Sequence, residues 1–105
     1  MALFGNNDAN YLNISGTAAG TVVIKAYNPP PNNSAGHLYG VYVTVPLAGT
    51  VTYWDGQGTA NGSIIAQVSN NGTKVPDLFA FNCRFTNGLF FVASAGSYNQ
   101  SVFWD

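Results

Sequence analysis

The chain has 105 residues, of which 47% are hydrophobic and only 7% charged, with a formal net charge of −1. That length accommodates one compact domain and no second core, and the charged fraction falls far below the roughly 25% usual in soluble proteins. Three basic residues, Lys25, Lys74 and Arg84, are too few to track a run of phosphates or an anionic membrane surface, and no apolar run approaches the about 20 residues that span a bilayer, so neither nucleic acid nor membrane is expected as a partner.

Gly, Asn or Pro interrupts almost every ten-residue stretch and no window repeats apolar residues at helical spacing, so the chain reads as strands and turns. Residues 1–19, rich in Gly, Ala and Asn around the apolar run 11–14, predict an N-terminal arm, either mobile or docked on a partner, carrying one weak strand. Residues 20–105 are then a single domain. Its first strand covers residues 21–27 and stops at Asn28-Pro29-Pro30-Pro31-Asn32-Asn33, a stiff surface loop whose prolines have no amide to donate to a ladder. Residues 37–45 alternate, with Tyr39, Val41, Val43 and Val45 on one face and Leu38, Tyr42 and Thr44 on the other. After the turn Pro46-Leu47-Ala48-Gly49, residues 50–54 set Val51 and Tyr53 against Thr50, Thr52 and Trp54, and Asp55-Gly56 ends the strand. A strand over 63–68 is closed by Asn70-Asn71-Gly72.

Residues 79–86 and 89–94 flank Asn87-Gly88, the preferred pair for a two-residue type I′ hairpin. That hairpin sets Phe85 opposite Phe90 and Cys83 opposite Val92 on the core face, leaving Arg84, Leu89 and Phe91 on the other. A last strand over 100–105 ends in Phe103-Trp104-Asp105. Seven or eight short strands about ten residues apart predict an all-β fold, an antiparallel β-sandwich, with the jelly roll among its arrangements.

The inventory for catalysis is one His, one Cys, four Asp and no Glu, which predicts no enzyme. A pair of Cys83 with His37 would supply a thiol nucleophile, but Cys83 falls mid-strand on an apolar face, where packing is the ordinary role. A lone cysteine also excludes an internal disulfide. Asp55 and Asp77 would suit two-carboxylate glycan chemistry, yet each sits where turn-forming Asp is expected. The run Asp55-Gly56-Gln57-Gly58 with Asn61 lacks the repeated acidic ligands of a calcium loop, so no metal or cofactor is predicted. Tyr42, Tyr53, Trp54 and Trp104 are candidates for a platform on which sugar rings stack, which makes a carbohydrate- or receptor-binding module the alternative reading.

A nearly uncharged surface risks self-association unless neighbours cover it, and domains in symmetric assemblies have such neighbours. Apolar groups at the chain ends, Leu3, Phe4, Tyr11, Leu12, Phe103 and Trp104, are therefore the predicted interface residues. The segments HLYGVYV (37–43), GTVTYWDG (49–56), IIA (64–66) and FTNGL (85–89) together resemble those of small bacteriophage virion-associated proteins, which read L-x-G-V-x-V, then G-T-V-T-x-x-D, then I-A, then F-x-N-G-L. The resemblance spans residues 37–93 and carries no catalytic or ligand residue. It implies a non-enzymatic capsid decoration, cement or fibre-like protein that binds the major capsid protein or another virion protein and forms a homo-oligomer, with a trimer as the first expectation. The first seven residues, lacking the basic and apolar regions of a secretory signal, fit synthesis in a host cytoplasm before incorporation into the virion.

Overall fold

The architecture follows from two-residue alternation broken at regular intervals by turn-forming residues. The computed structural model describes residues 10–29, 34–47, 49–59, 62–69 and 76–105, and among them there are eight strands and no helix. They are β1 (Asn10–Gly16), β2 (Gly20–Lys25), β3 (Gly36–Val43), β4 (Thr50–Asp55), β5 (Ser63–Ser69), β6 (Asp77–Phe85), β7 (Leu89–Ala93) and β8 (Tyr98–Trp104).

Two four-stranded antiparallel sheets have the orders β1-β8-β3-β6 and β2-β7-β4-β5. The pairs β1 with β8, β2 with β7, β3 with β6 and β4 with β5 are those of one long hairpin rolled into a sandwich, the jelly roll. Between the sheets lie Leu38, Val41, Val43, Phe85 and Val102 of the first and Tyr53, Val68, Leu89 and Phe91 of the second, all at 0% exposure. Burying each such side chain contributes roughly 1.5–3 kcal/mol. The Phe91 ring meets Tyr53 edge-on at 5.8 Å and Tyr98 at 5.5 Å, which ties three strands from both sheets together.

Three expectations change. The Asn87-Gly88 turn does not close a hairpin: β6 belongs to one sheet and β7 to the other. Gly88 has φ 105°, but Asn87 lacks the positive φ that a type I′ turn needs. The turn's amides bond outside it instead, Thr86 and Asn87 to the Asp55 carboxylate and Gly88 to the Ser34 carbonyl. Because the parity of β7 is set by its partners β2 and β4, Leu89 and Phe91 are core residues, and Phe90 and Val92 face outward.

The second change is in β3. Tyr39 is an extra residue relative to β8, while Phe81 and Asn82 lie opposite it in β6, Asn82 with φ 56°. This bulge reverses the alternation, so Leu38 shares the buried face of Val41 and Val43. The third concerns the arm. Residues 10–16 are the edge strand β1, paired over its whole length with β8; the strand expected within the arm thus belongs to the sandwich, taking seven of the nineteen residues, and residues 1–9 lie outside the described set. So do the turn at 70–72 and most of the proline loop, of which Pro29 is described and exposed.

Candidate interaction surface

Among the described residues, three of the five charged side chains, Lys25, Asp55 and Asp105, are engaged within the molecule. The Asp105 carboxylate accepts the His37 amide at 2.7 Å through Oδ1 and the Tyr39 phenol at 2.6 Å through Oδ2, with His37 Nδ1 3.5 Å from Oδ1. Lys25 Nζ donates to the carbonyls of Ala35 at 2.8 Å and Asp105 at 3.3 Å, and lies over the Phe85 ring. Burial pulls the Asp105 carboxyl upward, but the Tyr39 and His37 hydrogen bonds and the His37 charge outweigh it and hold the group below its ordinary range. Asp55 caps the β6–β7 turn, taking Thr86 N and Oγ1 on Oδ2 at 3.0 and 3.2 Å and Asn87 N on Oδ1 at 2.7 Å.

This leaves two broad faces short of charge, and the register shows what they carry. Across β1-β8-β3-β6 the outward residues line up as Tyr11, Phe103, Gly40, Ala80 and, one step along, Asn13, Ser101, Tyr42, Leu78. Tyr11 is 57% exposed and Leu78 50%. A polar network runs through this face: Asn13 Nδ2 donates to Asn99 Oδ1 at 2.8 Å and to Ser101 Oγ at 3.3 Å, and Ser101 Oγ donates to the Tyr11 hydroxyl at 3.2 Å. Across β2-β7-β4-β5 the outward row is Val23, Phe90, Trp54, Ile64, apolar on every strand, followed by Thr21, Val92, Thr52, Gln67. Val23 and Ile64 stand at the two edges of that row and are exposed.

Of the predicted interface residues, Leu3 and Phe4 lie outside the described set. Tyr11 and Phe103 are partners across the β1–β8 ladder, point outward and touch, with ring centroids 5.5 Å apart. Leu12 and Trp104 face the other way and are partly buried against the core. Leu78, Val23, Phe90 and Ile64 also face outward and were not among the residues singled out from the sequence. An alternation with apolar residues at both parities was the available signal for β2 and β5; Phe90 was hidden by the hairpin reading of Asn87-Gly88.

The chemical pairings are not assembled. Cys83 packs on the core and its thiol donates to the Ile65 carbonyl at 3.6 Å, whereas His37, one ladder position away, faces outward. Asp55 lies beside Thr86, while Asp77 begins β6 eight residues before Phe85, about 26 Å at strand rise, too far for a carboxylate pair acting on one bond. Nor do the four aromatics form one platform: Tyr53 is core, Trp104 packs inward, and Tyr42 and Trp54 face outward from different sheets. Among the described residues no three His, Cys, Asp or Glu side chains gather as metal ligands. No family model, curated protein or solved structure matches the chain.

Proposed function

We propose that the chain is a non-enzymatic structural component of a bacteriophage particle, a capsid decoration or cement protein that binds the particle lattice through one broad face and other copies of itself through further surface. The observation that carries this reading is the pair of outward faces, one with aromatic and hydrogen-bonded groups, the other with a row apolar on all four strands, on a domain in which Lys25, Asp55 and Asp105 are engaged at one end. An outward apolar row on every strand of a sheet, exposed at its two edges, calls for cover, and symmetric assembly supplies it. The jelly roll adds support by analogy, since it recurs in viral capsid domains, though also in lectins and cupins.

Light scattering of the purified protein, alone and mixed with undecorated particles of the virus that encodes it, tests the reading. A discrete oligomer, with a trimer the first arrangement to fit, and saturable binding to particles are expected. A monomer that ignores particles overturns it.

A further inference from the structure

The rolled topology brings three connections to one end of the sandwich: β2 to β3, β4 to β5 and β6 to β7. They are joined there by main-chain bonds, Gly88 N to Ser34 O at 3.1 Å and Gly56 N to Gly88 O at 3.2 Å. Gly88 allows the close approach, since a Cβ at this position, with φ at +105°, would stand 2.6 Å from the Lys25 carbonyl oxygen and 2.7 Å from Gln57 Nε2. Between the three loops lies an open cleft of about 280 Å³ lined by Tyr27, Gly56, Gln57 and Asn87.

No charged side chain is among these lining residues. The nearest carboxylate in sequence, Asp55, has both oxygens occupied by Thr86 and Asn87. What the cleft offers is one 42% exposed tyrosine ring and two carboxamides. Gln57 Nε2 leans on the Asn87 carbonyl at 3.4 Å and Asn87 Nδ2 on Thr86 Oγ1 at 3.2 Å, while the side-chain oxygens of both amides accept no hydrogen bond among the described residues. A ligand that suits these groups has an apolar face for the ring, hydroxyls that donate to amide oxygens, and no net charge.

We propose that this loop-end cleft binds a neutral saccharide of one or two rings, stacked on Tyr27 and hydrogen-bonded by Gln57 and Asn87. Its volume, just under the roughly 300–1,000 Å³ of pockets for drug-sized ligands, limits the occupant to that size. The site lies in neither outward row, so its failure and the failure of the assembly reading are separate results.

Titration of the ¹⁵N-labelled protein with glucose, galactose, N-acetylglucosamine and lactose, followed by amide correlation spectra, tests the proposal. At least one of them is expected to give saturable shifts at the amides of Tyr27, Gln57, Asn87 and Gly88. Tyr27→Ala weakens that binding about tenfold, the loss of one good stacking contact; Gln57→Ala weakens it too, and Tyr42→Ala on the outward face leaves it unchanged. Absence of shifts at these amides with every sugar overturns the proposal, as does binding that survives both cleft substitutions in proteins whose spectra remain native. Shifts centred on Tyr11 and Tyr42, or produced only by the charged sugar N-acetylneuraminic acid, also overturn it.

Discussion

Tyr53 of β4 donates its phenolic proton to Oε1 of Gln100 in β8 at 2.5 Å, a bond that crosses from one sheet to the other through the middle of the core. Both residues are at 0% exposure, and Gln100 Nε2 has no partner among the described residues. Tyr53→Phe would strand the remaining polar atom of Gln100 and should cost about 1–3 kcal/mol in denaturant unfolding. Adding Gln100→Met removes the stranded amide, so the double variant should be more stable than Tyr53→Phe alone.

The same phenol should make the fold sensitive to alkali. Burial pushes its pKa far above the ordinary value near 10. The stability it contributes is complete below about pH 10, where the unfolded chain also keeps the proton, and is lost as pH rises above that, at up to about 1.4 kcal/mol per unit. Stability measured against pH in Tyr53→Phe should lack this one-proton slope.

Asp105 gives the opposite sign at the acid end. With its carboxyl held below the usual range in the folded protein, its contribution is present above the unfolded value near 3.9 and lost as pH falls through the folded one. Tyr39→Phe removes the 2.6 Å hydrogen bond and should raise the carboxyl's titration midpoint, read by NMR at the side-chain carbon, and move acid unfolding to higher pH.

Asp55→Ala withdraws three hydrogen bonds from the turn that carries the chain between sheets. Bonds to a charged acceptor contribute about 1.5–3 kcal/mol each at most and less when exposed, so a loss of about 2 kcal/mol is expected by calorimetry. Faster amide exchange at Thr86 and Asn87 should accompany it.

Ile64→Lys and Val23→Lys place a charge at either edge of the apolar row on β2-β7-β4-β5. Both side chains are exposed, so folding stability should stay within about 0.5 kcal/mol. Self-association, measured by sedimentation, should fall.

Strand positions were legible in the sequence because alternation and turn residues are local signals, and the 50–54 strand divides as read, with Val51 and Tyr53 on one face; that this face is the buried one was not legible. Pairing was not legible. Asn87-Gly88 has hairpin chemistry, and only the distant carboxylate of Asp55 and the carbonyl of Ser34 turn it into a crossover. The face of Leu38 likewise depends on a bulge that needs Asn82, more than forty residues on, in a left-handed conformation. Tyr11 and Phe103 emerged as surface because they lie near the chain ends; Val23, Phe90, Trp54 and Ile64 form a row only once three ladders are in register.

The place of β8 between β1 and β3 also governs when the protein can form. Until residues 98–104 leave the ribosome, β1 has no neighbour to bond and β3 lacks one of its two, although the sheet β2-β7-β4-β5 needs nothing from β8. Closing the sheet then joins residues about ninety positions apart, such as Asn10 and Trp104, the kind of long loop closure that puts folding in the millisecond-to-second range. The first sheet is thus closed last, and a chain stopped short of β8 lacks the strand that joins β1 to the rest of the sandwich.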